Sequence, residues 1–167
     1  GGMRLRSKLF LAQLPLGIAL AAVALIAVFE ITKLGESSDR ILAENYRSVL
    51  AAQRMKDSIE RMDSAALFLV VGHREKALAQ AAEHRRRFEA ELRVEENNIT
   101  EPREADVVRG LRAAWGEYLR VFNGIATGPA PTAAIYFRVL EPAFLAVRER
   151  AEEILALNQD AMVRIDM

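Results

Sequence analysis

The chain has 167 residues, with 23 basic and 23 acidic side chains and a formal net charge of zero. Neutrality removes the basic footprint expected of a nucleic-acid binder, and the absence of cysteine excludes disulfide stapling and thiolate chemistry. Two histidines, three tyrosines and one tryptophan leave little raw material for catalysis.

In chain order, Gly1-Gly2 ahead of Met3 reads as the remnant of a tag, and residues 1–8 as that remnant plus a cytoplasmic N-terminus. Leu9 to Phe29 follows as an uncharged run of 21 residues whose one strongly polar side chain is Gln13. At about 1.5 Å per residue this run spans roughly 30 Å, the thickness of a bilayer core. It predicts a transmembrane helix over residues 9–29, in contact with lipid. Arg4, Arg6 and Lys8 precede it, and Glu30, Lys33, Glu36 and Asp39 follow. The positive-inside rule then places the N-terminus in the cytoplasm and residues 30–167 outside the membrane. A cleavable signal peptide is the competing expectation, with Ala22-Val23-Ala24 as its cleavage site. The apolar run is long for that role.

Beyond the run, about 138 residues are enough for one domain with a real core. Gly, Pro and Asn cluster at Gly72, at Asn97 to Pro102 and at Asn123 to Thr132, cutting the region into four segments. The first keeps a 3-4 spacing through Ile31, Leu34, Ser38, Ile41, Asn45, Ser48, Ala52, Met55, Ile59, Met62, Ala66 and Leu69. The second is weaker: Leu78, Ala81, Arg85, Phe88 and Leu92. The third runs through Val108, Leu111, Trp115, Tyr118, Phe122 and Ile125. The fourth runs through Leu140, Phe144, Val147, Ala151, Ile154, Asn158, Ala161 and Ile165. Such spacing marks the buried side of packed helices. The predicted fold is all-α: an up-down-up-down antiparallel four-helix bundle, with the transmembrane helix continuous with helix one. Helix one is expected to end near Val71, helix two to cover 74–97 and helix three 101–124, with Thr100 as N-cap. Helix four starts at Thr132 or at Glu141, with Pro142 as a kink or as its first turn.

Distances along these helices carry a further expectation. Counted from the Gly72 end of the bundle, Asn45 lies 27 residues back along helix one. Asn97 and Asn98 lie 25 and 26 residues along helix two, and Asn158 lies 26 residues past Thr132. The asparagines are thus predicted to share one depth. Asn45, Ser48 and Asn158 occupy seam positions, where buried polar groups cost stability and fix helix register. Below that depth a two-helix stalk would continue to the membrane, too thin for a core of its own, which favours a parallel homodimer.

Arg40, Arg47, Arg54 and Arg61 recur every seven residues. They form either a solvated stripe paired with Glu44, Asp57 and Asp63, or a site for a small anion, since guanidinium groups bind carboxylate and phosphate in a bidentate manner. Arg85 in the apolar register of helix two is a second anion candidate, or a partner of Glu60. Trp115, Tyr118 and Phe122 read as core, and His84 beside Arg85, Arg86 and Arg87 as part of a solvated face. No catalytic, metal-ligating or cofactor pattern is recognised, so no enzymatic activity is expected of these residues.

The stretches Glu44-Asn45-Tyr46-Arg47-Ser48-Val49, Met55-Lys56-Asp57-Ser58-Ile59-Glu60-Arg61-Met62-Asp63-Ser64-Ala65 and Leu157-Asn158-Gln159-Asp160-Ala161-Met162 resemble the N-terminal input region of bacterial membrane sensor histidine kinases. These carry a periplasmic four-helix-bundle sensor domain similar in architecture to that of chemotaxis receptors. The resemblance implies signal sensing from the inner membrane, a parallel homodimer and, past Met167, a second membrane helix, a HAMP-type relay and a histidine-kinase core. His73 and His84 lack the sequence surroundings of a phospho-acceptor. The input domain of a chemotaxis receptor, or an anchored helical scaffold without signalling output, are the alternatives.

Overall fold

A computed structural model describes residues 5–129 and 131–165, with side chains from residue 13 onward except 34, 36–38 and 165. Among the described residues all regular structure is helical: α1 (Leu5–Val70), α2 (Arg74–Glu96), α3 (Glu104–Thr127), the short α4 (Ala133–Ile135), a π-helical turn (Tyr136–Leu140) and α5 (Glu141–Ile165). The chain divides into two compact units, Gly1–Arg40 and Ile41–Met167.

In the first unit, α1 carries Gln13–Lys33, 21 residues of mean hydropathy 2.4 and wholly exposed, long and apolar enough to cross a bilayer. The predicted span begins at Leu9, and its first four side chains lie outside the described ones. Pro15 sits within the helix. Seam positions Leu34 and Ser38 also lie outside the described side chains. Ile31 is 70% exposed, so among the described residues this position of the apolar register is not covered.

In the second unit the 3-4 spacing of α1 turns inward. Asn45, Ser48, Ala52, Met55, Ile59, Met62, Ala66 and Leu69 are all buried, whereas Ile41 remains 38% exposed. Each helix sends its apolar stripe to the same core: Phe88 and Leu92 from α2, Leu111, Trp115, Tyr118 and Phe122 from α3, Val147, Ala151 and Ile154 from α5. Phe88 stacks on Trp115 with ring centroids 3.9 Å apart, and the row continues to Tyr118 and Phe122. α3 packs on α5 and on α2. α1 meets α2 through Arg54 with Glu91 and the Arg61 carbonyl with Gln80, and the turn after α2 through Ser48 with Asn98. It meets α5 through Lys56 with Glu152 and Glu60 with Arg148.

The breaks follow backbone chemistry. Gly72 adopts φ +86, the left-handed conformation that glycine tolerates best, and His73 N–H closes on Phe68 C=O at 2.8 Å to cap α1. Helix α3 begins three residues later than expected, and its N-cap position, Arg103, makes no side-chain cap. Thr100 sends its hydroxyl elsewhere, and the Glu104 carboxylate instead reaches back to the N–H groups of Thr100 (2.6 Å) and Glu101 (3.1 Å). At its other end α3 extends past Asn123 and Gly124 to Thr127, so the connection to α4 is shorter than the sequence suggested. Ala130 within it lies outside the described residues. Thr132 caps α4 through Ile135 N–H. The π turn covers Arg138, whose carbonyl the Pro142 ring would strike in a regular α-helix, and it lets the helical path continue into α5.

Candidate functional site

A polar layer crosses the second unit where α2 ends and α3 begins. Asn45, Ser48, Glu95, Asn98, Glu104 and Asn158 are buried there, five of them with no exposed surface and Asn98 with 8%. Asn98 Nδ2 donates to Glu44 C=O at 2.8 Å and to Ser48 Oγ at 2.9 Å, fastening the turn after α2 to α1. Thr100 Oγ1 donates to Asn45 Oδ1 at 2.6 Å, and Asn158 Oδ1 and Glu104 Oε2 each lie 3.3 Å away. Asn158 Nδ2 donates to Glu104 Oε1 and, at 3.0 Å, to its own helix at Ile154 C=O. The structure thus brings Asn45, Ser48 and Asn158 together. Asn97 instead stays exposed and bonds Arg93 C=O, because it occupies the C-cap of α2.

Two members of the layer are carboxyls that sequence spacing did not single out. Burial alone would raise the pKa of Glu104. The Asn158 amide and the backbone N–H groups of Thr100 and Glu101 outweigh it, so the group is held below its usual value and ionised. Glu95 has the opposite surroundings. Both of its oxygens are buried without a hydrogen-bond partner, and the polar groups that set its surroundings are the Glu104 carboxyl and the Ser48 hydroxyl. Burial, and then the adjacent Glu104, push its pKa up to about 8. Asn45 Nδ2 is likewise buried without a partner. The layer is therefore only partly satisfied, which makes it a costly element of the core. Glu95 falls in the 3-4 register one turn past Leu92. That position was the available signal, masked by the acidic run Glu95-Glu96 that reads as a helix end.

The arginines fare differently. Arg47, Arg54 and Arg61 are exposed. Arg54 pairs with Glu91 across helices at 3.2 Å, and Arg61 lies 3.9 Å from Asp57. Arg47 borders a shallow groove with Arg93 and Asn98. Asp63 serves no arginine of the stripe, since it accepts the Tyr136 hydroxyl at 2.9 and 3.0 Å. Burial raises the pKa of Asp63 despite that bond. Arg85 bonds Glu89 at 3.0 Å rather than Glu60, which lies by Arg148. With 43% of its side chain exposed it keeps its head in solvent, as long cationic side chains do. Its stem borders a cavity of about 290 Å³ lined by Met62, Leu78, Ala81, Phe122 and Ala126. Leu78 faces that opening at 40% exposure instead of joining the core. His84 is half-buried with an unpartnered Nδ1, and burial lowers its pKa, so it is not a freely solvated side chain.

Among the described residues no cluster of three His, Asp or Glu side chains could hold a metal ion. Comparison with family models, with curated proteins and with solved structures finds no match.

Proposed function

We propose that the chain is the extracytoplasmic signal-input module of a bacterial inner-membrane sensor kinase. Its helices would form an up-down-up-down antiparallel bundle anchored by the apolar part of α1. The carrying observation is that α1 is one helix from Leu5 to Val70, holding both a bilayer-length apolar stretch and the buried polar residues Asn45 and Ser48. The antiparallel arrangement draws support from partner pairs that run in opposite directions along α1 and along α2 with the turn after it: 48 with 98, 54 with 91, 61 with 80. A parallel homodimer draws support from Ile31 and Ile41, apolar in register yet exposed in one copy.

In this function the polar layer is the responsive element. A partly satisfied buried layer separates two packings by less free energy than a continuous apolar seam would, and helix shifts of about 1–2 Å are enough for switching. A small anionic ligand would most readily use Arg85, whose guanidinium stands beside an apolar cavity. Arg47 comes next; Arg54, Arg61 and Arg85 itself each stand by a carboxylate, and of these three only Arg85 also borders that cavity.

The test joins this chain to a second membrane helix and a histidine-kinase core. Asn158→Leu, which removes the layer's central amide, is expected to shift basal autophosphorylation by several-fold. Unchanged autophosphorylation in a folded chimera would contradict the input function and favour the scaffold. An anion-dependent thermal shift that survives Arg85→Ala and Arg47→Ala would remove the arginines from ligand recognition.

A further inference from the structure

We propose that Glu95 and Glu104 form a proton-binding site, in which one buried proton held by Glu95 joins the end of α2 to the start of α3. Both carboxyls are wholly buried. Glu104 is supplied with donors from Thr100 N–H, Glu101 N–H and Asn158 Nδ2, which fit an ionised carboxylate. Glu95 has no donor at either oxygen. Two carboxylates cannot hydrogen-bond each other, so a bond between these neighbouring buried carboxyls requires that one of them carry a proton. The donor inventory assigns that proton to Glu95. Ser48, whose oxygen accepts Asn98 Nδ2 at 2.9 Å and lies 3.4 Å from Asn98 C=O, favours the charged form of Glu95, but burial and Glu104 outweigh it.

Among the described residues no cation contributes to the surroundings of Glu95. On α1 the flanking charges are Glu44, half-buried, and Arg47, exposed. On α2, Glu91 is paired with Arg54 and Glu96 with Arg112. Ahead of α3, Glu101 is paired with Arg164 of α5 at 2.9 Å, and Asp160 of α5 is exposed. Neither an arginine nor a lysine contributes to the environment of Glu95, which is set by burial, Glu104 and Ser48. Loss of the proton would leave two adjacent buried carboxylates, one without donors, and the layer would have to open or admit water.

The sign follows from linkage. Glu95 has its folded value raised to about 8 from 4.5. Its stabilising contribution is complete below the unfolded value and is lost as pH rises through about 8. The site is therefore closed at neutral pH and loosens in alkaline surroundings through Glu95, while Glu104, whose value is lowered, loses its own contribution only as acid protonates it. Its use as a signal rests on the input function proposed above, but the proton itself does not.

Infrared difference titration of the full chain in detergent micelles tests the site directly. A protonated-carboxyl band should be present at neutral pH, vanish with a midpoint near pH 8, and be missing in Glu95→Gln. In Glu104→Gln, where an amide can donate to Glu95, the midpoint should move to lower pH. Absence of the band at neutral pH in the unaltered chain, its persistence in Glu95→Gln, or an unmoved midpoint in Glu104→Gln would each overturn the proposal. The unaltered chain decides the first point even where a variant fails to fold. A normal titration that leaves a kinase chimera unresponsive to pH would sink the signalling use alone.

Discussion

Asn158→Ala isolates the contribution of the polar layer to stability. The wild-type amide gives one hydrogen bond to the Glu104 carboxylate, and its Oδ1 lies 3.3 Å from Thr100 Oγ1. Truncation leaves a buried carboxylate short of a donor, and hydrogen bonds to charged groups contribute about 1.5–3 kcal/mol each. Adding the vacated volume, the loss should be about 2–4 kcal/mol. At about 3 °C per kcal/mol for a unit of this size, Tm should fall by about 6–12 °C. The assay is thermal and urea unfolding of the full chain in micelles, followed by helical circular dichroism. Asp160→Ala, two residues along on the exposed side of α5, is the control and should stay within about 0.5 kcal/mol. If Asn158→Ala also stays within that margin, the layer is not a constrained element of the core and its role as the responsive site fails.

Other substitutions test separate parts of the structure. Phe88→Ala removes a fully buried ring stacked on Trp115 and should cost about 3–5 kcal/mol in urea unfolding, with a change in tryptophan emission. Tyr136→Phe deletes the hydroxyl that bonds Asp63 and should lower stability by about 1–2 kcal/mol; a neutral outcome would mean that water replaces the hydroxyl. Gly72→Ala forces a side chain into a left-handed conformation and should cost about 1 kcal/mol in the same unfolding assay. Because the chain has no cysteine, Asp160→Cys supplies a single label site. A membrane-impermeant maleimide added to intact spheroplasts should modify it, and protection until lysis would reverse the proposed orientation.

Much of the helical layout was legible in the sequence because apolar periodicity and helix packing are the same physical fact. From Asn45 onward the predicted positions of α1 are the buried ones, and the shared depth of the asparagines follows from helix rise alone. What stayed hidden depended on tertiary chemistry. Glu95 and Glu104 look like ordinary surface acids until their burial and donor sets are known. Thr100 resembles an N-cap, but its hydroxyl serves Asn45, and Glu104 takes over the backbone donors. The π turn is a local answer to Pro142 that periodicity could only register as an uncertain helix start. Ile31 and Ile41 carry the apolar register but are exposed in one copy, since spacing marks an apolar side without naming what covers it.

The most direct measurement of the proposed input function is autophosphorylation of the kinase chimera with a flexible Gly-Ser insertion next to Gly35, compared with the uninterrupted chain. Gly35 lies within α1 between the apolar stretch and the polar layer. With the helix unbroken, Asn158→Leu should shift kinase output. With the insertion, the same substitution should leave output unchanged while the bundle melts as before. An equal shift in both proteins would contradict transmission through α1.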